Sequence, residues 1–173
     1  MGVVTACAHE FDRHRRLIER AIEPLRDEEF FRRPAPAVNS VALIVKHLAG
    51  NLASRWSDFL TSDGDKPGRN RDGEFVLGPD DSRATLMSRW HDAWGVVEHT
   101  LAKLGDDDLE RVVTIRGEPH TVLQALLRGA GHVAYHAGQV LYVARFMRPD
   151  APWLTIPPGQ SGRHGRGRYL EKA

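Results

Sequence analysis

The longest stretch of regular hydrophobic spacing, from a cap at Thr121 to about Met147, constrains the fold more than any other feature of the chain. Apolar residues recur in it at steps of three and four, which places them on one face of an α-helix. The residues of this seam are Leu126, Ala130, Val133, Ala137, Val140, Ala144 and Met147. A helix with one continuous apolar face is stable in water only when that face is covered. The spacing therefore predicts that the chain packs helix against helix.

Three further segments show the same periodicity. The first covers residues 4–25, the second runs from a cap at Asn39 or Ser40 to about residue 60, and the third runs from a cap at Asp81 or Ser82 to residue 104. Each carries apolar residues on one main face, as the members of a helical bundle do. The sequence thus predicts an all-α protein that forms a four-helix bundle.

The connections between these segments differ in length. Prolines between residues 24 and 36 predict a short, rigid linker after the first helix. Residues 61–80 are rich in glycine, proline and charge, and predict a long loop at one end of the bundle with room for a crossover. Residues 112–115 are β-prone and predict at most a short extended piece or a small hairpin. Residues 147–173 predict an irregular tail to a single domain that covers the whole chain.

Composition excludes several classes of protein. Hydrophobic residues make up 41% and charged residues 27% of the chain, and no apolar run approaches the roughly 18 residues of a membrane span. The N-terminus lacks the basic and then apolar segments of a secretory signal, which predicts a cytoplasmic protein without a membrane partner. The net charge is only +1, so no nucleic-acid partner is expected. Cys7 is the single cysteine, and any metal therefore needs imidazole or oxygen ligands.

Three histidines in the predicted helices indicate a metal site. His132 and His136 stand four residues apart, so their imidazoles lie on one helix face with Cβ atoms about 6 Å apart. His47 lies near the middle of the second predicted helix, on a stripe that is unusually polar for a neighbour of the core. Three imidazoles from two facing helices can hold one divalent ion and leave a position open to water or substrate. Histidines at the surface, or satisfied within the core, are the alternative that spacing leaves open.

Two motifs resemble a known family. Residues 45–51 read Val-Lys-His-Leu-Ala-Gly-Asn, and residues 132–139 read His-Val-Ala-Tyr-His-Ala-Gly-Gln. Both are similar to motifs of the DinB-like superfamily of metal-binding four-helix bundles. The resemblance covers nearly the whole chain, and residues 50–56 and 71–75 look like an uncharacterised bacterial subgroup of that superfamily.

The resemblance has implications for fold, metal and partners. It implies a crossing bundle of the DinB-like type, frequent homodimers, and one zinc or nickel ion held by His47, His132 and His136. Some members of the superfamily look like thiol S-transferases or isomerases that use mycothiol, bacillithiol or glutathione. In such enzymes the metal lowers the pKa of the thiol and so produces a nucleophilic thiolate.

Polar neighbours of the three histidines are candidates for contact with a substrate. Asn51 and Arg55 follow His47 by one and two helical turns, so they can line the same cavity and bind an anionic group. Gln139 stands on the stripe of His132 and His136 and can contact a substrate or orient a metal ligand. Hydrogen bonding between helices or within the core is the alternative for all three candidates.

Two other patterns are weaker. His14 interrupts the apolar face of the first helix, where a hydrogen-bonded core histidine is the ordinary explanation, and His9 or Asp12 nearby can also reach a metal. The run from Asp63 begins like an EF-hand loop, but Pro67 occupies a ligand position, which argues against calcium binding there.

The leading functional hypothesis is a metal-dependent enzyme that activates a thiol or water at the open position, of the thiol S-transferase or hydrolase type. Its expected partners are a small molecule, such as a low-molecular-weight thiol, and a second copy of the chain. No residue stands out in the sequence as a general base. The alternatives are a non-catalytic protein that binds a metal or a small ligand, and a structural or regulatory dimer in which a fourth protein ligand closes the metal site.

Overall fold

The computed structural model describes residues 1–160 and 162, so the predicted tail from residue 163 onward lies outside the described residues. The helices are α1 (Val3–Ile22), α2 (Asp27–Phe31), α3 (Val41–Trp56), α4 (Arg83–Leu101) and α5 (Val122–Met147), and the strands are β1 (Val112–Ile115) and β2 (Glu118–Thr121). The four long helices are those that the periodicity predicts. The prediction of an all-α bundle is therefore confirmed.

Side-chain caps set the starts of three long helices. Ser40, Ser82 and Thr121 each accept a hydrogen bond from the amide three residues further on, at 3.3, 3.1 and 3.1 Å. The Gln124 side chain returns a bond to the amide of Thr121 at 2.9 Å, which completes a capping box. These bonds satisfy amides that the first turn of a helix leaves without partners. The caps are residues at which the sequence predicts these helices to begin.

Three helices end earlier than predicted. The first stops at Ile22 instead of residue 25, because Pro24 has no amide hydrogen to continue the ladder. The second stops at Trp56 instead of about residue 60, and Asp58 then takes a left-handed backbone conformation with φ of 46°. A left-handed residue breaks the helical path. The third stops at Leu101 instead of residue 104, where the backbone bonds shift from the carbonyl four residues back to the one three back. The predicted bounds were therefore three to four residues too long at these three ends.

The linker after α1 contains a helix that the sequence analysis did not predict. In α2 the Glu29 carboxylate accepts a hydrogen bond from the amide of Arg26 at 2.8 Å, and Phe30 is fully buried. Five residues are too few to show a hydrophobic period. The interpretation of this segment as linker alone was wrong.

The four long helices form a ring in which α3 lies between α4 and α5. Helix α3 packs mainly against α4, α1 packs mainly against α5, and smaller contacts between α3 and α5 and between α1 and α4 complete the ring. Aromatic side chains fill the interior: Phe11 meets Trp56 edge-on at 5.2 Å between ring centroids and Trp94 at 6.3 Å. This arrangement places one face of α3 opposite α5.

The sequence predictions of a small hairpin and of an irregular segment after α5 agree with the structure. Strands β1 and β2 pair antiparallel, with Val112 opposite Thr121, through a turn in which Arg116 and Gly117 both have positive φ. Residues 148–160 contain neither helix nor strand. In this segment the ring of Trp153 lies 4.4 Å from the Arg145 guanidinium. No helix in the described part of the chain has both the length and the apolarity to cross a membrane.

Candidate metal centre

Three histidines converge between α3 and α5. The Nε2 atom of His132 lies 3.3 Å from Nε2 of His47 and 3.2 Å from Nε2 of His136. His47 and His136 are 3% and 7% exposed, and His132 is half-buried. Among the described residues these three form the one group of potential ligands whose donor atoms all lie within 4.8 Å of one another. The three histidines, here called the triad, are therefore close enough to hold a metal ion.

The pKa values of two triad histidines favour the neutral imidazole, the form that binds a metal ion. Burial, followed by the neighbouring His136, His47 and arginine side chains, lowers the pKa of His132 to about 3. Burial also lowers the pKa of His136 to about 4, against the opposing effect of its hydrogen bond to Gln139. Both imidazoles are consequently neutral at physiological pH, and their lone pairs are free to bind a metal without losing a proton first.

Two hydrogen bonds on the far side of the rings assign the tautomers. The Nδ1–H of His47 donates to Oε2 of Glu74 at 2.8 Å, and the Nδ1–H of His136 donates to Oε1 of Gln139 at 2.8 Å. The Nε2 atoms of both rings then carry lone pairs and face Nε2 of His132. A proton on His132 can satisfy only one of these two contacts. A cation among the three nitrogens satisfies all of them.

The partner of His47 comes from the 61–80 loop. Glu74 lies in a 3-10 turn, Asp72–Phe75, and is 7% exposed. Arg69 donates to both of its carboxylate oxygens, from Nε at 2.8 Å and from Nη2 at 2.9 Å. Burial raises the pKa of Glu74, but the bonds from His47 and Arg69 outweigh burial and leave the pKa below its ordinary value. Glu74 is therefore an ionised acceptor for the His47 ring.

The loop follows α3 instead of staying at one end of the bundle. The hydroxyl of Ser54 donates to the Gly64 carbonyl at 3.2 Å and accepts from the Lys66 amide at 3.1 Å. The Gly64 amide donates to the carbonyl of Thr114 in β1 at 2.8 Å. These bonds hold residues 64–66 of the loop against α3 and β1. Its predicted position was wrong because a segment without periodicity does not reveal what it packs on.

Sequence reasoning missed Glu74. The sequence predicts no calcium loop from Asp63 to Glu74, because Pro67 argues against one, and residues 71–75 enter only through the family resemblance, without a role for Glu74. No fixed spacing connects Glu74 to His47, since 27 residues separate them. Two signals were available: Glu74 lies in the segment 71–75 that resembles the subgroup, and Arg69 is a basic residue with which an acidic neighbour in the same loop can pair.

Two of the predicted substrate-contact residues, Asn51 and Arg55, follow His47 within α3. Asn51 is 9% exposed and forms no side-chain hydrogen bond within the described residues. Arg55 forms no ion pair with them, and its buried Nε atom has no hydrogen-bond partner. Burial and the nearby Arg128, Arg69 and Arg116 lower the pKa of Arg55 to about 10. Gln139 contacts the triad itself, through Nδ1 of His136.

The other candidate ligands lie apart from the triad. His9, Asp12 and His14 of α1 are not in the group of donor atoms that meets between α3 and α5. His14 instead places its Nδ1 atom 2.6 Å from the backbone carbonyl of Glu10. This is the hydrogen-bonded role that a histidine within a helix ordinarily has.

Comparisons with known proteins are consistent with this architecture. A crystal structure of a conserved protein from Enterococcus faecalis superimposes with a TM-score of 0.68 over 86% of this chain and 99% of that chain, at 19% sequence identity. At that identity the likeness establishes the fold alone. A search of curated proteins finds no match. A family model described as "protein of unknown function (DUF1572)" matches residues 3–160, and the chain belongs to that family.

Proposed function

We propose that this protein is a metal-dependent enzyme of the DinB-like superfamily that binds one zinc or nickel ion through His47, His132 and His136. The observation that carries the proposal is the pair of Nε2 contacts at 3.3 and 3.2 Å. Nitrogens bound at 2.0–2.1 Å to a tetrahedral zinc ion lie about 3.3 Å apart. The spacing therefore suits a single ion bound by three imidazoles.

The donor set also fits this metal class. Neutral imidazoles bind zinc and nickel well, whereas magnesium and calcium prefer oxygen ligands. No fourth histidine, cysteine, aspartate or glutamate of the described residues joins the triad. That favours a site with free coordination positions over a closed structural one. An ion bound there lowers the pKa of a coordinated thiol or water, which supplies a nucleophile at neutral pH.

Two polar side chains of α3, which follow His47 by one and two helical turns, support a small anionic substrate. Within the described part of the chain, the half-buried Arg55 guanidinium has no carboxylate partner and the Asn51 amide has no hydrogen bond. A guanidinium removed from water needs an anion or other acceptors to offset the lost hydration. We assign these two residues to a carboxylate of the substrate, such as a low-molecular-weight thiol carries. The Gln139 amide nitrogen, opposite the oxygen that holds His136, can donate to the same substrate.

One observation favours a second candidate function, a protein that binds a small ligand without transforming it. Among the described residues, Glu74 is the acidic residue in contact with the triad, and Arg69 and His47 already occupy both of its oxygens. It is thus poorly placed to accept a proton from a substrate. In this alternative the triad and Arg55 serve recognition alone.

We also propose that the protein is a homodimer. Tyr135, Tyr142 and Phe146 lie on one side of α5 and are largely exposed. Exposed aromatic residues aligned on one helix face are typical of surfaces that associate. Light scattering at micromolar concentration is expected to give twice the mass of the chain, and a monomeric mass contradicts this part of the proposal.

The main test measures metal and activity in the same preparations. Untagged protein is expected to contain about one zinc or nickel ion per chain by elemental analysis, and His47→Ala, His132→Ala and His136→Ala to contain almost none. His99→Ala, at an exposed position of α4, is the matched control and should keep the metal. Full metal content in all three triad variants contradicts the metal site.

The reaction is tested by screening low-molecular-weight thiols against electrophilic acceptors, with and without zinc or nickel. Transfer that depends on metal and falls in Arg55→Met supports the enzyme. Thiol binding without turnover, in fully loaded protein, supports the second candidate.

A further inference from the structure

We infer that Glu74 is a positioning residue of the metal centre, acting through His47, and that position 50 is glycine because the Glu74 side chain crosses α3 there. The inference rests on the proposed metal site and adds a function for the 61–80 loop. That loop would then determine how one of the three ligands is presented.

The contact between Glu74 and His47 has the geometry that such a role requires. The carboxylate accepts from Nδ1 at 2.8 Å, on the side of the ring opposite the triad nitrogens. Phe75, the next residue of the turn, stacks on the imidazole with 4.5 Å between ring centroids and 27° between planes. A carboxylate that holds the rear nitrogen of a ligand histidine fixes its tautomer and ring orientation, and makes the front nitrogen more basic.

The carboxylate itself is held from behind. Arg69 donates to both oxygens of Glu74 and also to Asp65, with Nη1 of Arg69 3.2 Å from Oδ1 of Asp65. The Arg69 side chain is 5% exposed, so these bonds are largely shielded from water. Rotation of the Glu74 side chain would break two charge-assisted bonds at once. Glu74 is therefore a rigid contact for His47.

Gly50 provides independent support. A Cβ atom at this position would lie 2.8 Å from Cδ and 3.1 Å from Cγ of Glu74, and closer still to Oε1. Glycine makes the interior of a helix less stable than alanine does, and a side chain that occupies the space of a Cβ atom is one reason for its presence. This reason does not apply to Gly95 of α4, since no described residue lies within 4 Å of a Cβ atom built there. At position 50 the reason is the passage of the Glu74 carboxylate.

The first test uses Gly50→Ala, with Gly95→Ala as the matched control, and measures zinc affinity by competition with a chromophoric chelator. Both substitutions add one methyl group to a helix, but only the first displaces Glu74. We expect Gly50→Ala to weaken zinc binding about 10- to 100-fold, the usual cost of losing a partner of a ligand histidine, and Gly95→Ala to leave affinity unchanged. Equal affinities for the two variants overturn the explanation of Gly50.

The second test places the effect on Glu74 itself. Glu74→Ala is expected to weaken zinc binding as much as Gly50→Ala, and the double variant no further, because both remove the same contact. Glu74→Gln retains an acceptor oxygen and should recover part of the affinity. In metal-free protein, nitrogen NMR should show His47 protonated at Nδ1 in the wild type and a mixture of tautomers in Glu74→Ala, a change that loss of packing alone does not produce.

The outcomes separate this inference from the metal site on which it rests. If His47→Ala loses zinc while Glu74→Ala binds it with wild-type affinity and an unchanged His47 tautomer, Glu74 is not a positioning residue and the metal site stands. If His47→Ala also keeps its zinc, the metal site itself is wrong. Should Gly50→Ala not fold, as judged by circular dichroism, Glu74→Gln and the tautomer measurement decide the question.

Discussion

The candidate site has two halves that are built in opposite ways. The triad comes from the middle of α3 and α5, where helical backbone hydrogen bonds fix the Cα position of each histidine. Arg69 and Glu74 come from the 61–80 loop, in which one 3-10 turn is the only regular piece among the described residues. Both halves are largely buried. The comparison teaches that helices supply the donors in this site, while the loop sets the direction of one of them.

The largest effect is expected from the helical half. His132→Ala removes the Nε2 atom that lies within 3.3 Å of the other two triad Nε2 atoms. Only the imidazoles of His47 and His136 then remain as ligands. Two neutral imidazoles bind a divalent ion far more weakly than three. We expect metal content to fall from about one ion per chain to nearly none, by elemental analysis after dialysis. A variant that keeps half of its metal would mean that the helical half does not dominate.

A smaller effect is expected from the loop half. Arg69→Met keeps the length of the side chain but frees the Glu74 carboxylate to rotate, so zinc affinity should fall about 10-fold, the low end for an outer partner of a ligand. Arg111→Met is the control, because Arg111 also pairs with an acidic residue, Asp108, at an exposed site. Chelator competition measures both. Equal affinity in the two variants would show that the loop does not hold the ligand.

The helical half was largely predictable from the sequence. The separation of His132 and His136 by four residues determines their common face, because the helix has 3.6 residues per turn. His47 needed one further inference, that its polar stripe faces α5, and the ring of helices supports that position. Predicted caps such as Ser40 and Thr121 are the caps observed. For the histidine pair and for the caps, the residues that determine the outcome lie within one or two helical turns of each other.

The loop half was not predictable, for the opposite reason. The place of Glu74 depends on how a segment without a period folds back on α3, and that depends on contacts with distant partners such as Thr114. Gly50 appeared only as part of a motif, since a glycine in a helix does not reveal which side chain crosses it. Helix α2 was missed because its two apolar residues, Phe30 and Phe31, are adjacent, so a segment of five residues shows no helical spacing.

Acid should distinguish the two halves in metal-free protein. Unfolded imidazoles take up protons near pH 6.5, whereas folded His136 and His132 resist protonation down to about 4 and 3. The unfolded state therefore binds more protons below pH 6.5, and the free energy of unfolding falls as pH drops from 6.5 towards 4. Glu74 has a lowered pKa, so its contribution is complete above pH 4.5 and is lost only at lower pH.

Urea unfolding at pH 7.5, 6.5 and 5.5 measures this difference. At pH 5.5 the loss should be on the order of 1 kcal/mol for each of the two histidines. The double variant His132→Ala and His136→Ala should show a correspondingly flatter dependence between pH 6.5 and 5.5. Glu74→Gln should match the wild-type slope in that range. A wild-type slope no steeper than that of the double variant would show that the two imidazoles do not stay neutral in the folded state.

The smallest effect is expected at the outer end of the loop half. Asp65 pairs with Arg69 at 3.2 Å and with Arg116 at 3.2 Å, but its side chain is 31% exposed. Water can replace a lost carboxylate there, so such pairs contribute little. Asp65→Asn should therefore lower zinc affinity about twofold, measured by the same chelator competition as for Arg69→Met. If contacts pass orientation to His47 one after another, the effect decays from Glu74 through Arg69 to Asp65. If Asp65→Asn lowers zinc affinity as much as Arg69→Met does, the loop acts instead as one unit. Breaking any of its ion pairs would then disturb the contact between Glu74 and His47.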